Sequence, residues 1–185
     1  MKSHSTTLIT GTLVSAAIPA LQVIGFALAT GLAAQFRIPL PFTPVPITLQ
    51  TLVVILGGAL LGWRKGGIGQ GLYLVWGVIG APLFAGGAFG LAVLAGPTGG
   101  YLVGFIGAAM LAGLLAPKAR NYIQLWGCLF GASLLILGLG MIHLSVFLGS
   151  NLTASFQAGV LPFLIGDVIK TTAAAGITYA LLKRN

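Results

Sequence analysis

The sequence predicts an all-α integral membrane protein of six transmembrane helices with both termini in the cytoplasm, and three observations carry that prediction. Hydrophobic residues make up 57% of the 185 positions and charged residues 5%, with a mean hydropathy of +1.06, far outside the range of a soluble globular domain. The apolar stretches are long enough to cross hydrocarbon as helices and lack the alternation of barrel strands, and an open sheet edge has no partners in lipid. The basic residues sit in alternate connections, which is how orientation is written into such chains.

Span one, residues 8–34, follows Lys2 and a short polar run. Its apolar stretch is too long for the core of a cleaved signal peptide, so it is read as a retained helix. Next comes RIPLPFTPVPITLQT, residues 37–51, where Pro39, Pro41, Pro44 and Pro46 forbid a helix and impose a stiff, extended connection before Gln50 enters span two, residues 47–62. Arg64 and Lys65 separate it from span three, residues 67–82. The following connection, APLFAGGAFGLAVLAGPTGGYL at 81–102, is apolar and glycine-rich, whereas an exposed loop is ordinarily polar. It is expected to fold back into the membrane face and line a cavity, where irregular backbone is tolerated at depth. Gly86-Gly87 and Gly99-Gly100 are expected to adopt positive φ there and approach a ligand closely. Span four, residues 100–116, precedes Lys118 and Arg120; span five covers 121–143, and span six covers 160–182 before Lys183 and Arg184. The whole chain, 1–185, reads as a single membrane domain.

Seven basic residues, Lys2, Arg64, Lys65, Lys118, Arg120, Lys183 and Arg184, fall on one side of this arrangement. The other side receives only Arg37, and the connections 83–99 and 144–159 hold no Lys or Arg. The positive-inside rule therefore makes the first side cytoplasmic. The net charge of +8 is scattered rather than gathered in a basic stripe, which argues against nucleic acid as a partner. Small-residue pairs at Gly67/Gly71, Gly100/Gly104 and Gly127/Gly131 are read as intramolecular helix packing, with a dimer face as the alternative. Trp63, Trp76 and Trp126 are read as interfacial anchors or packing, and the single cysteine, Cys128, as inert packing.

The chemistry concentrates in LPFLIGDVIKTTAAAG, residues 161–176, which holds Asp167, the only acidic residue in the chain. Asp167 and Lys170 are three apart and so share a helix face. Each costs about 2.5–3.5 kcal/mol at the bilayer centre, so both are expected to face the bundle or a cavity. One alternative is a self-neutralising pair that locks span six to its neighbours; the other is a functional site, the default for ionisable residues at this depth. Gln50 is read either as a ligand hydrogen-bonder or as helix glue, and Gln22, Gln70 and Gln124 as glue. His143 is read as an interfacial solvated residue, and with His4 it assembles no metal site. Asp167 lacks a second carboxylate, and the chain carries neither a nucleophile motif nor a Walker motif. That leaves binding or transport, without a cofactor.

With the proline segment at 37–51, LFAGGAFGLAVLAGPTGGYLVGF at 83–105 and GDVIK at 166–170 in view, the chain resembles the BioY family, the biotin-specific S components of energy-coupling factor (ECF) transporters. The resemblance implies a six-helix S-component bundle in a prokaryotic cytoplasmic membrane. It implies a biotin pocket on the non-cytoplasmic side, roofed by the loops before spans two and four. It implies partners as well: an ECF transmembrane coupling subunit and two ATPase subunits.

Gln50, Tyr101, Asp167 and Lys170 match positions that line the ligand in the family, and Gly86, Gly87 and Pro97 to Gly100 match its loop motif. Ala88 stands where some relatives have an Asn resembling a ureido-ring contact, and Leu102 where some have an Arg. Asp167 is therefore expected to accept from the ureido N–H groups. Lys170 is expected to meet the ligand's carboxylate, with Arg37 a more distant candidate. S components also place AxxxA pairs on the first helix for docking their partner, and this chain offers Ala16/Ala20 and Ala29/Ala33. The competing readings are an S component for another small vitamin, a membrane-embedded enzyme, and a structural or channel protein.

Overall fold

The computed structural model describes the backbone of residues 3–149 and 151–182, with side chains from residue 17 onward. Four segments are long and apolar enough to cross a membrane. They are Ala17–Gln35 within α1 (Ser3–Gln35), α5 (Gly99–Leu115) with a 3-10 extension to Lys118, α6 (Tyr122–Phe147) and α8 (Leu161–Leu182). Their outward faces carry exposed residues such as Leu21, Leu32, Ile142 and Ile165, as a lipid-facing surface requires.

The second and third expected spans differ from the sequence reading. Helix α2 covers only Gln50–Leu61, 12 residues, which is about 18 Å and too short to cross hydrocarbon alone. Ile47 and Thr48 instead form strand β2, paired antiparallel with β1 (Arg37–Ile38) in the register Arg37↔Thr48 and Ile38↔Ile47. Helix α3 then starts at Trp63 and ends at Val78. Gly62, at φ 82°, breaks the chain between α2 and α3 in one residue, so Arg64 and Lys65 occupy the first turn of α3 rather than a linker. Two short helices complete the set: α4 (Leu91–Ala95) in the glycine-rich loop and α7 (Leu152–Gly159) in the connection before α8.

Helix α5 is the axis, packed against α2, α3 and α6. Glycine sets the closeness. A methyl group on Gly58 or Gly66 would meet the backbone of Ala109, and one on Gly113 would meet the backbone of Gly62 and Trp63. Gly100 and Gly104 lie against α6 at Leu139, His143 and Ile136, so this small-residue pair is intramolecular packing. Gly127 and Gly131 are different: nothing within 4 Å faces either, so the expectation of packing fails for that pair.

The glutamines also divide. Gln70 donates to Thr30 (2.9 Å) and Gln22 accepts from Lys65 (2.6 Å), both joining α1 to α3. Gln124 is not interhelical glue: it accepts from the Arg120 amide (2.9 Å) while its own amide donates to Asn121 (2.9 Å), capping α6. Trp126 donates to Thr172 (3.0 Å) and stacks on Phe130, tying α6 to α8.

Candidate functional site

At the end of the bundle away from Gly62 lies a cavity of about 260 Å³, near the lower end of small-molecule sites. Its walls come from the proline segment, the loop before α5, and α2, α5, α6 and α8. In the proline segment Thr43 and Val45 turn inward and are buried, and Pro44, Val45 and Pro46 line the cavity. Proline suits such a wall because it brings no N–H that would need a partner. Across from it, Phe84 N donates to Ala88 O (3.1 Å) and Gly87 N to Phe84 O (3.0 Å), closing a tight turn. Gly86 and Gly87 hold φ of 75° and 74° in that turn, as expected. They shape it without lining the cavity; Phe84, Ala85 and Ala88 present their side chains instead. Gly99 and Gly100 do not take positive φ: they are the first residues of α5, where their lack of a side chain admits Leu94 O and His143.

The buried charge in the cavity wall is Asp167, 1% exposed, on a helix whose Ile165 and Ile169 face outward at 77% and 65%. One carboxylate oxygen accepts from Ser133 (2.6 Å). The other accepts from Lys170 (2.8 Å) and Thr51 (3.4 Å). Lys170 also donates to Thr48 O (3.2 Å) and to the Thr51 hydroxyl. An ammonium has three donors, and all three of those on Lys170 are engaged. Asp167 and Lys170 pair with each other here, the arrangement expected of them before a ligand's two ends draw them apart. The two form one unit at one place in the wall.

The remaining predicted residues are brought to the same cavity with sharper roles. Gln50 donates to the Tyr73 hydroxyl (2.7 Å), which donates to Leu83 O (3.4 Å). Gln50 thus ties α2 to α3, as the glue reading expects, and it also lines the cavity. The Tyr101 hydroxyl donates to Gly159 O (2.8 Å), and its ring fits a notch left by Gly140 and Gly159. Tyr101 consequently offers the cavity its ring, beside Phe105 and Phe163. His143 is not merely solvated: its Nε2 lies 2.9 Å from Gly96 O and holds the loop that carries Val93 and Thr98 to the cavity.

Sequence reasoning missed Ser133, Thr51 and Tyr73. Each carries a single hydroxyl, and Ser133 and Thr51 supply the donors that a sole buried acid needs. Of the docking pairs, Ala33 is 6% exposed and packed within the chain's own fold, and Ala29 is half-buried. Ala20 is exposed, and Ala16 lies outside the residues whose side chains are described. The same holds for the His4 side chain, and Lys2, Lys183 and Arg184 lie outside the described residues altogether. Among the described residues, no His, Cys, Asp or Glu cluster suits a metal.

Comparison with known proteins agrees over nearly the full length. The chain is 38% identical over 156 residues to "Probable biotin transporter BioY" of Pyrococcus horikoshii, covering 84% of this chain and 91% of that one. It is 38% identical over 151 residues to "Biotin transporter BioY" of Thermotoga maritima, covering 79% and 86%. Its fold is similar to a crystal structure of the S-component for biotin from an ECF-type ABC transporter, with a TM-score of 0.85, 27% identity and coverage of 92% and 94%. The BioY family profile matches residues 5–185, and the chain belongs to the BioY family.

Proposed function

We propose that this chain is the substrate-binding membrane subunit of a biotin uptake transporter, an S component rather than an enzyme. The observation that carries the reading is the buried Asp167–Lys170–Thr51–Ser133 cluster in the wall of an otherwise largely apolar cavity. A carboxylate has about four acceptor sites, and three donors reach this one within the protein. The ring ureido group of biotin offers N–H donors that match the remaining capacity, and Lys170 holds the carboxylate in place for them. The fused rings then lie against Tyr101, Phe105 and Phe163. On this reading Asp167 and Lys170 together recognise the ureido end.

The chain is further read as one six-helix domain, 1–185, in a prokaryotic cytoplasmic membrane. Arg64, Lys65, Lys118 and Arg120 flank the turns at Gly62 and 116–121, the end opposite the cavity, which supports cytoplasmic termini and an outward-facing pocket. An ECF coupling subunit and two ATPases supply the drive, with Ala20 on the exposed face of α1 as the docking position. A cysteine placed beside Lys118 is expected to label from the cytoplasmic side and one at 86–90 from outside; the reverse pattern overturns the orientation.

Titration of the purified protein tests the ligand. Biotin is expected to bind saturably, desthiobiotin more weakly because it lacks the second ring, and thiamine not at all. Saturable thiamine binding without biotin binding would assign the site to another vitamin. In liposomes the chain alone is expected to show no ATP-dependent accumulation.

A further inference from the structure

Two cations line the cavity among the described residues, Lys170 and Arg37, and they are held in different ways. Lys170 has its three donors engaged beside Asp167. Arg37 has no acid to meet: Asp167 is the only acidic residue in the chain, and Lys170, Thr51 and Ser133 already hold it. The positions differ in depth as well, since Arg37 is exposed and Asp167 buried.

Arg37 is nevertheless built into the site. In the β1–β2 ribbon it is paired directly with Thr48, and directly paired residues of an antiparallel ladder project to the same face. Both line the cavity. From the ribbon the guanidinium reaches across to the 84–88 turn and lies on Gly86, where any Cβ would overlap its Cζ and both terminal nitrogens. Gly86 sits at φ 75°, so its backbone and its missing side chain both serve this approach. Thr48 O accepts a hydrogen bond from Lys170, while the Arg37 side chain leaves the same ribbon pair toward the loop. The two cations are thereby divided between the inner wall and the rim.

We infer that Arg37, lying across Gly86, is the clamp for the carboxylate of the ligand's acyl tail, and that it makes the site selective for the free acid over its neutral amide. The inference rests on the biotin reading above, with the ureido end at Asp167. A planar guanidinium at the rim presents paired donors to a carboxylate, and the aliphatic tail between the two polar ends runs past Val45, Phe84 and Leu102.

The test is equilibrium titration of purified wild-type, Arg37→Gln, Arg37→Lys and Gly86→Ala proteins with biotin and with biotin amide. Arg37→Gln is expected to weaken biotin at least tenfold and the amide less than threefold, while Arg37→Lys retains part of the acid preference. Gly86→Ala, which displaces the guanidinium, is expected to reduce the preference in the same direction. Equal losses for acid and amide in Arg37→Gln, or no loss for the acid, overturn the clamp while the biotin reading stands. Wild-type protein that binds neither ligand overturns the biotin reading and the clamp with it. Thermal melting of each variant without ligand separates misfolding from lost recognition, and an unchanged melt is expected for Arg37→Gln because the residue is exposed.

Discussion

The two ends of this bundle are built on opposite principles. Around Gly62 the backbones of α2, α3 and α5 touch through Gly58, Gly66 and Gly113, leaving no room for side chains between them. Around Asp167, aromatic rings, prolines and irregular loops line a cavity. Glycine at one end removes volume so that helices approach. At the other, Gly86 and Gly87 bend a loop so that its neighbours reach the cavity. The same residue type closes one end and shapes the other, and only its surroundings say which.

Substitutions break that contrast in a graded way. The largest effect is expected from Asp167→Ala, which leaves the Lys170 ammonium buried beside Thr48 and Thr51 without its counter-ion. Biotin binding should be lost and stability should fall by about 3–5 kcal/mol, the usual cost of breaking a buried pair, as read by ligand titration and by thermal melting in detergent. Gly113→Val strikes the closed end, where the obstacle is backbone that cannot yield. It should cost about 3 kcal/mol of stability while the folded fraction keeps wild-type biotin affinity. A matching loss of affinity per folded molecule would mean that the two ends are not separable.

A smaller effect is expected at the link between the ends. Tyr73→Phe removes the hydroxyl that holds Gln50 and the Leu83 carbonyl, and biotin affinity should fall by about 1 kcal/mol, measured calorimetrically. The smallest effect belongs to Gly127→Leu. No atom lies within 4 Å of a Cβ there, so stability should stay within about 0.5 kcal/mol. A large loss would show that this glycine face is covered in the native assembly.

Much of this contrast was legible in the sequence. The four long helices, the non-helical proline segment, the inward glycine loop and the shared face of Asp167 and Lys170 all follow from composition, periodicity and spacing. What escaped depended on where backbone hydrogen bonds go. Ile47 and Thr48 are as apolar or β-branched as their neighbours, so hydropathy extended span two over them, yet they pair with Arg37 and Ile38. The partners of Lys170 beyond Asp167 escaped for a tertiary reason, because Thr48 O and Thr51 come from distant sequence. Gly100/Gly104 and Gly127/Gly131 carry the same spacing, but only the first pair meets a neighbouring helix, and spacing holds no information about that.

The central claim is that the open end binds biotin with its ureido ring against the buried acid. The most direct measurement is a structure of the protein with biotin bound. It should show a ureido nitrogen within hydrogen-bond distance of an Asp167 carboxylate oxygen, the rings beside Tyr101 and Phe163, and the tail directed toward Arg37. Biotin seated outside this cavity, or reversed with its carboxylate at Asp167, would contradict the account.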